Sequence, residues 1–402
     1  MLALLISVSA LSVLVTCHAY AAVLLKLRKT RLDPRSTSSP HGGARHGARS
    51  SATANRPGIS ILKPLKGEDD ELYENLVAFT RLEYDCYELL CGAEDPSDPA
   101  LAVARRVQRE NPSCALRIFS GAAWVGLNPK VRVLSRLAPE ARYDWILISD
   151  SNVRPRPDYL SALMACQERT GAELVHSVLG GAGERSPGAI LENLHMNSWV
   201  VGAVCLADAS GHACVIGKSM LLRRSELSRL GGFEAVRDVL AEDYILGQMF
   251  ARAGHRVELS AHVLPTLNTM RSLSCYLNRH IRWGQLRRRL SLAGFVGELL
   301  FNPTPWLAAL ATFGSPVLQL AACVGILCKV GADLLLAAKL RGAPPSVRLM
   351  PWVLMKDFLT LAMWMVSALR TRVSWRGNQM RIGPGTRLVP ADPLLETAES
   401  QA

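Results

Sequence analysis

The chain has 402 residues, 49% of them hydrophobic, with 46 Lys and Arg against 34 Asp and Glu. A mean hydropathy of +0.14 is high for a protein surrounded by water alone and points to membrane attachment. The basic residues gather at Lys26–Arg35, Arg279–Arg289 and Arg370–Arg387, each beside an apolar stretch, which suits an anionic membrane surface and argues against nucleic acid as a partner.

Residues 1–25 are predicted as an N-terminal transmembrane helix, because Leu2 to Leu25 is almost wholly apolar and about 20 such residues cross a bilayer. A cleaved signal peptide is the competing reading, weakened by the lack of a basic segment before the run. Lys26, Arg28, Lys29, Arg31 and Arg35 follow, which puts the N-terminus outside and the rest in the cytoplasm. Residues 26–57, rich in Ser, Gly, Pro and Arg, predict a disordered basic linker.

Residues 58–290 alternate short apolar runs (Ile59–Leu65, Glu88–Cys91, Trp145–Ser149) with helical patterns (Leu72–Leu82, Pro99–Glu110). That alternation predicts an α/β domain with a parallel sheet covered on both faces. Residues 291–370 form a membrane region with about two transmembrane helices. Phe295–Phe301 is interfacial, Trp306–Cys328 a first span extended by Val330–Leu340, and Leu349–Leu369 a second. The second span carries Lys356 and Asp357, which require either burial against a neighbour or a helix that lies lower in the membrane. Residues 371–402 are a cytoplasmic tail in which Trp375-Arg376-Gly377 and Gly383-Pro384-Gly385 predict a small hairpin.

The ten cysteines include no CxxC pair and no grouping with His, so they read as buried hydrophobes rather than disulfides or zinc ligands. Asp150 and Asn152, at i and i+2 after an apolar strand, offer a carboxylate and an amide oxygen to one hard cation, Mg²⁺ or Mn²⁺; a turn or cap role is the plain alternative. Asp98 before Pro99 is a helix cap, which leaves Asp95 free for a nucleoside. Glu242 and Asp243 open a helix-like stretch, where acidic residues also serve the dipole. Arg279, Arg282 and Trp283 share one helix face suited to a diphosphate, unless they belong to the same membrane girdle as Arg287, Arg288 and Arg289.

Seven blocks in order, LKPLKG (Leu62–Gly67), DPSDP (Asp95–Pro99), VGLNPKV (Val125–Val131), SDSNVR (Ser149–Arg154), GKSMLLRR (Gly217–Arg224), LAEDY (Leu240–Tyr244) and RHIRW (Arg279–Trp283), together resemble the ceramide glucosyltransferases. These are family 21 glycosyltransferases, related to the processive cellulose and hyaluronan synthase type.

The resemblance implies an A-type glycosyltransferase, Rossmann-like domain flanked by transmembrane helices. Asp95 would contact uridine with Lys63 and Pro64 in the same pocket, and Asn128 and Lys130 would stand near the phosphates. Asp150 and Asn152 would be the metal motif, Asp243 the general base, and Arg279, Arg282 and Trp283 the diphosphate and acceptor cluster. Asn152 stands where many relatives have a second acidic residue, which leaves the metal's identity open. The implied activity is inverting transfer of a hexose, glucose first, from a UDP-sugar to a lipid hydroxyl, ceramide first. A hopanoid or diacylglycerol acceptor with a donor such as UDP-N-acetylglucosamine is the alternative, and a polysaccharide synthase a more distant one. The setting would be a bacterial inner membrane, with the catalytic domain facing the cytoplasm.

Overall fold

The computed structural model describes residues 1–31, 56–121, 123, 126–375 and 378–390; most of the predicted linker lies outside them, as do Val125, Arg376 and Gly377. An apolar helix α1 (Leu2–Arg31) precedes the α/β domain. The domain begins β1 (Ile59–Pro64), α2 (Leu72–Thr80), β2 (Tyr87–Ala93), α3 (Pro99–Glu110), β3 (Leu116–Ser120), α4 (Pro129–Leu137), β4 (Trp145–Ser149) and α5 (Tyr159–Thr170). It continues β5 (Leu174–Ala182), α6 (Pro187–His195), α7 (Val201–Ala209), β6 (Ser219–Arg223), α8 (Arg224–Arg229), α9 (Glu242–Arg252) and β7 (Val257–Leu267). A π turn, Met196–Val200, joins α6 to α7. The start of α3 shows why such boundaries are legible: Asp98 accepts from Ala100 N at 2.9 Å, and Pro99 occupies the first helical position.

The strands form one sheet in the order β3-β2-β1-β4-β6-β5-β7. Successive side chains alternate faces, so Ile59, Ile61 and Leu147 enter one core while Leu62, Ile146 and Ile148 enter the other. Both faces are therefore covered, as expected. The expectation of an all-parallel sheet is corrected, because β6 runs antiparallel to both β4 and β5. Apolar runs carry no information about strand direction. The strand order reverses beside β1 and β4, and a crevice opens where their carboxyl ends diverge. The antiparallel course of β6 places its first residues there too, since Ser219 pairs with Ser149.

Next come α10 (Leu273–Leu290), α11 (Leu292–Gly297), α12 (Thr304–Phe313), α13 (Pro316–Arg341) and α14 (Met350–Leu369), then a small sheet of β8 (Arg372–Trp375), β9 (Asn378–Ile382) and β10 (Leu388–Pro390). Three segments, Leu2–Arg28, Pro316–Arg341 and Val347–Leu369, are long and apolar enough to cross a membrane. The single span expected at Trp306–Cys328 is instead split at Gly314-Ser315, where Pro316 starts a new helix and biases its predecessor away from helical geometry. Val330–Leu340 does extend that helix, as expected.

The charges of α14 are buried against a neighbour. Lys356 lies 2.6 Å from Asp333 and 3.1 Å from Asp357, and Lys329 lies 2.9 Å from Asp333 and 2.5 Å from Asp357. Two cations thus face two anions, which offsets the cost of placing them among apolar helices. Tyr20 of α1 donates to Asp333, and Lys356 reaches Ser198 in the π turn at 2.8 Å, so the network ties the apolar helices to the α/β domain.

Among the described residues all cysteines are free. Cys17, Cys275, Cys323 and Cys328 are exposed rather than buried, contrary to the core role expected of them.

Candidate active site

A cavity of about 340 Å³ opens at the carboxyl ends of β1 and β4. Its floor is a mesh of carboxylates and ammonium groups. Asp150, directly after β4, lies 3.1 Å from Lys130 Nζ and 3.5 Å from Lys218 Nζ. Lys130 also reaches Glu242 at 3.0 Å, and Lys218 donates to Asn152 Oδ1 at 2.6 Å. Burial pulls the Lys218 ammonium down to about 8, with Asp150 partly offsetting it. Burial also opposes the charge on Lys130, but Asp150 and Glu242 outweigh it and hold that lysine protonated.

Asp243, in the first turn of α9, accepts from Gly217 N at 2.5 Å and from Tyr244 N at 2.8 Å. Burial and the neighbouring Glu242 raise its carboxyl to about 6, against the opposing pull of Lys130. A carboxylate tuned to that value suits proton abstraction near neutral pH. The loop before it is held by the small C-terminal sheet. Leu240 N donates to Thr386 O at 3.0 Å, Leu388 N donates to Asp238 O at 2.7 Å, and Leu240 packs among Val373, Met380, Ile382 and Leu388. The expected hairpin is thus a three-stranded sheet that braces the loop carrying Asp243.

The far wall is α10, on which Arg279, Arg282, Trp283 and Leu286 follow helical spacing and all face the cavity. On its other side Tyr276 and His280 are buried, and Gly284 lets α14 approach, since a Cβ there would lie 2.4 Å from Ser367 Oγ. Arg279 is held by Glu192 of α6 at 3.2 Å, and His280 lies at the same distance from the other Glu192 oxygen. Burial opposes the charge on Glu192, yet Arg279 and His280 keep the carboxyl below its ordinary range. Six cations line the cavity (Lys66, Lys130, Lys218, Arg271, Arg279, Arg282) against four carboxylates (Asp69, Asp150, Glu242, Asp243). The formal excess of positive charge suits an anionic diphosphate.

Of the residues expected at the site, Pro64, Lys130, Asp150, Asn152, Asp243, Arg279, Arg282 and Trp283 line this one cavity. Lys63, Asp95 and Asn128 do not. Lys63 is fully buried behind β4, where its Nζ donates to the Asp150 carbonyl and lies 4.0 Å over the Phe79 ring. Asn128 caps α4 by accepting from Lys130 N at 2.9 Å, and its amide donates to Val239 O at 2.7 Å and Glu242 at 3.2 Å. It therefore positions the floor rather than lining it. Asp95 sits on the exposed turn after β2, accepting from Ser97 N at 2.8 Å and Ser97 Oγ at 2.7 Å; its link to the cavity is the charge of Lys66. Asp69, Lys218 and Arg271 were not singled out from sequence, although Lys218 falls in the GKSMLLRR block.

A divalent ion that takes most of its ligands from substrate phosphates and water needs one or two protein carboxylates. Asp150 meets that need from the cavity wall. Asn152 also lines the cavity, and its amide oxygen accepts from Lys218 at 2.6 Å. No group of three or more His, Cys, Asp or Glu able to hold a metal occurs among the described residues.

Gly217 permits the closest approach in the floor: a Cβ there would lie 2.9 Å from the Asp243 Cβ and 2.8 Å from Lys130 Nζ. Gly217→Ala must displace Asp243, and a misplacement of about 1 Å in a reacting group costs on the order of 10²-fold. Steady-state turnover is expected to fall by about that factor, together with a modest drop in melting temperature, because overpacking costs about 1–3 kcal/mol.

The model of glycosyl transferase family 21 matches residues 11–388. Ceramide glucosyltransferase 3 of Caenorhabditis elegans is 30% identical over 233 residues, 58% of this chain and 50% of that one. Ceramide glucosyltransferase of Komagataella phaffii (strain GS115 / ATCC 20864) is 27% identical over 316 residues, 64% of this chain and 61% of that one. The chain spans about half the length of the Caenorhabditis elegans relatives it matches. Among solved structures, the mannosyltransferase PcManGT from Pyrobaculum calidifontis in complex with GDP-Man and Mn²⁺ aligns with a TM-score of 0.48 at 17% identity, over 90% of this chain and 98% of that one. TarS 1-349 of S. aureus in complex with UDP-GlcNAc aligns with a TM-score of 0.38 at 13% identity, over 83% of this chain and 99% of that one. The sheet covered on both faces and the helices long and apolar enough to cross a membrane agree with the α/β domain flanked by membrane segments expected from the sequence. With nearly its whole length matched by the family model, the chain belongs to glycosyl transferase family 21.

Proposed function

We propose that the protein transfers a hexose, glucose first, from a UDP-sugar to the primary hydroxyl of a membrane lipid, ceramide first, with inversion at the sugar. The observation that carries this reading is one cavity in which the raised carboxylate Asp243 shares space with the cations Lys218, Arg271, Arg279 and Arg282. The acceptor oxygen bonds to the sugar C1 as its proton passes to Asp243. The bond from C1 to the diphosphate breaks, and the leaving UDP takes that electron pair. Arg279, Arg282 and Lys218 stabilise the charge that develops on it. Asp150 would hold a divalent ion, Mg²⁺ or Mn²⁺, which when bound with the donor's phosphates helps neutralise that charge. The relatives named ceramide glucosyltransferase support the choice of sugar and lipid.

The apolar segments at α1, α13 and α14 support an integral membrane protein. The basic run after Leu25 supports a catalytic domain at the cytoplasmic face, and a bacterial inner membrane is the proposed setting. The proposed domain organisation keeps residues 58–290 as the catalytic unit between the membrane segments.

The full chain in lipid vesicles, supplied with radiolabelled UDP-glucose or UDP-N-acetylglucosamine and Mg²⁺, tests the proposal. Labelled, β-linked glucosylceramide is the expected product. A labelled hopanoid or diacylglycerol product shifts the assignment to the alternative acceptor, a polymer shifts it to a synthase, and no transfer to any lipid overturns it.

A further inference from the structure

A second cavity, of about 330 Å³, adjoins the first and shares Ile216, Ala241, Asp243, Trp283 and Leu286 with it. The rest of its wall is mainly apolar, supplied by Trp199 and Val200 of the π turn, Ala203 and Val204 of α7, and Phe295 and Phe301 beyond α10. We propose that this cavity holds the hydrocarbon chain of the acceptor lipid next to its hydroxyl. The proposal rests on the reading of Asp243 as base and of a lipid as acceptor.

Three observations carry it. First, the two cavities meet at Asp243, so a molecule with its hydroxyl at that carboxylate has its next atoms directed into apolar space. A sugar or peptide acceptor would leave its polar groups without partners there, at a cost an alkyl chain does not incur.

Second, the pocket lies toward the apolar helices. Phe301 belongs to the turn Glu298–Phe301, and within that turn Leu300 O accepts from Ser12 Oγ of α1 at 2.9 Å. On neighbouring α11, Phe295 is buried while Leu292 and Val296 are 67% and 51% exposed, a face suited to lie against lipid beside the pocket.

Third, the charged side chains at this wall are already matched. Arg287 pairs with Glu298 at 2.5 Å, and its guanidinium lies 4.6 Å over the Trp199 ring, so neither residue adds an unpaired charge against a chain. The volume is at the lower end of the roughly 300–1,000 Å³ of small-molecule sites, so the pocket takes the first part of a chain and leaves the remainder in the bilayer.

Ala203→Phe narrows the pocket without touching the polar cavity. Transfer to a long-chain ceramide is expected to fall about tenfold or more, the equivalent of roughly two buried methylenes. Donor binding, and transfer to an acceptor cut back to its hydroxyl-bearing head with no alkyl chain to enter the pocket, should stay within about twofold. A second measurement does not depend on turnover: a ceramide with a diazirine close to its hydroxyl, photolysed in the wild-type vesicles, should label the peptides covering 199–204 and 286–301. Equal losses with both acceptors, no loss with either, or labelling confined to α13 and α14 would overturn the pocket assignment. Wild-type failure to glycosylate any lipid would instead remove the functional reading on which it rests.

Discussion

Asp243→Asn is expected to lower kcat about 10²- to 10⁴-fold, the typical worth of a general base. Donor affinity should change little, because the amide keeps the size of the carboxylate and the phosphate-facing cations are untouched. The pH dependence gives an independent check. The charged carboxylate is the working form, and burial together with Glu242 raises its titration to about 6. The sign follows: kcat/KM in the wild-type protein should fall about tenfold per pH unit below about 6, whereas an ordinary aspartate would hold the rate down to roughly pH 4. Initial rates of labelled glycolipid formation, with UDP affinity measured separately by calorimetry, read both quantities. Parental turnover in the variant would remove Asp243 from the proton transfer.

The parts of this site that were legible in the sequence share one property: each is placed by the local pattern of the element that carries it. Asp150 follows the strand-like run Trp145–Ser149, apolar through Ile148, so its place at a strand's carboxyl end could be read directly. Arg279, Arg282 and Trp283 share a helix face by spacing alone. Lys218 was not legible as a site residue for the opposite reason. It precedes β6, and a strand assumed parallel would put it at the far edge of the sheet; only the antiparallel course brings it beside Asp150. Asn152 has the right spacing for a cation, but spacing does not reveal that its amide oxygen also accepts from Lys218. The bracing of Asp238–Ala241 by the C-terminal sheet joins positions more than a hundred residues apart, and no local pattern encodes such a contact.

Lys218→Met should be the most damaging change outside the base. The side chain is buried, and it is one of two ammonium groups facing the Asp150 carboxylate, so methionine keeps much of its bulk and removes its charge. Losing one preorganised donor at the developing charge typically costs about 10²- to 10³-fold in kcat, and that is the fall expected here. A purely structural defect would lower kcat as well, so a second readout is needed. Lys218 repels any cation at Asp150 by simple electrostatics; without it, Mn²⁺ in the presence of UDP should bind more tightly than in the parent, as followed by the Mn²⁺ paramagnetic resonance signal. Lower turnover together with tighter metal binding would assign the loss to the missing Lys218 charge rather than to a displaced Asp150. Lower turnover with weaker metal binding would mean that Asp150 itself had moved, and that Lys218 serves to position it.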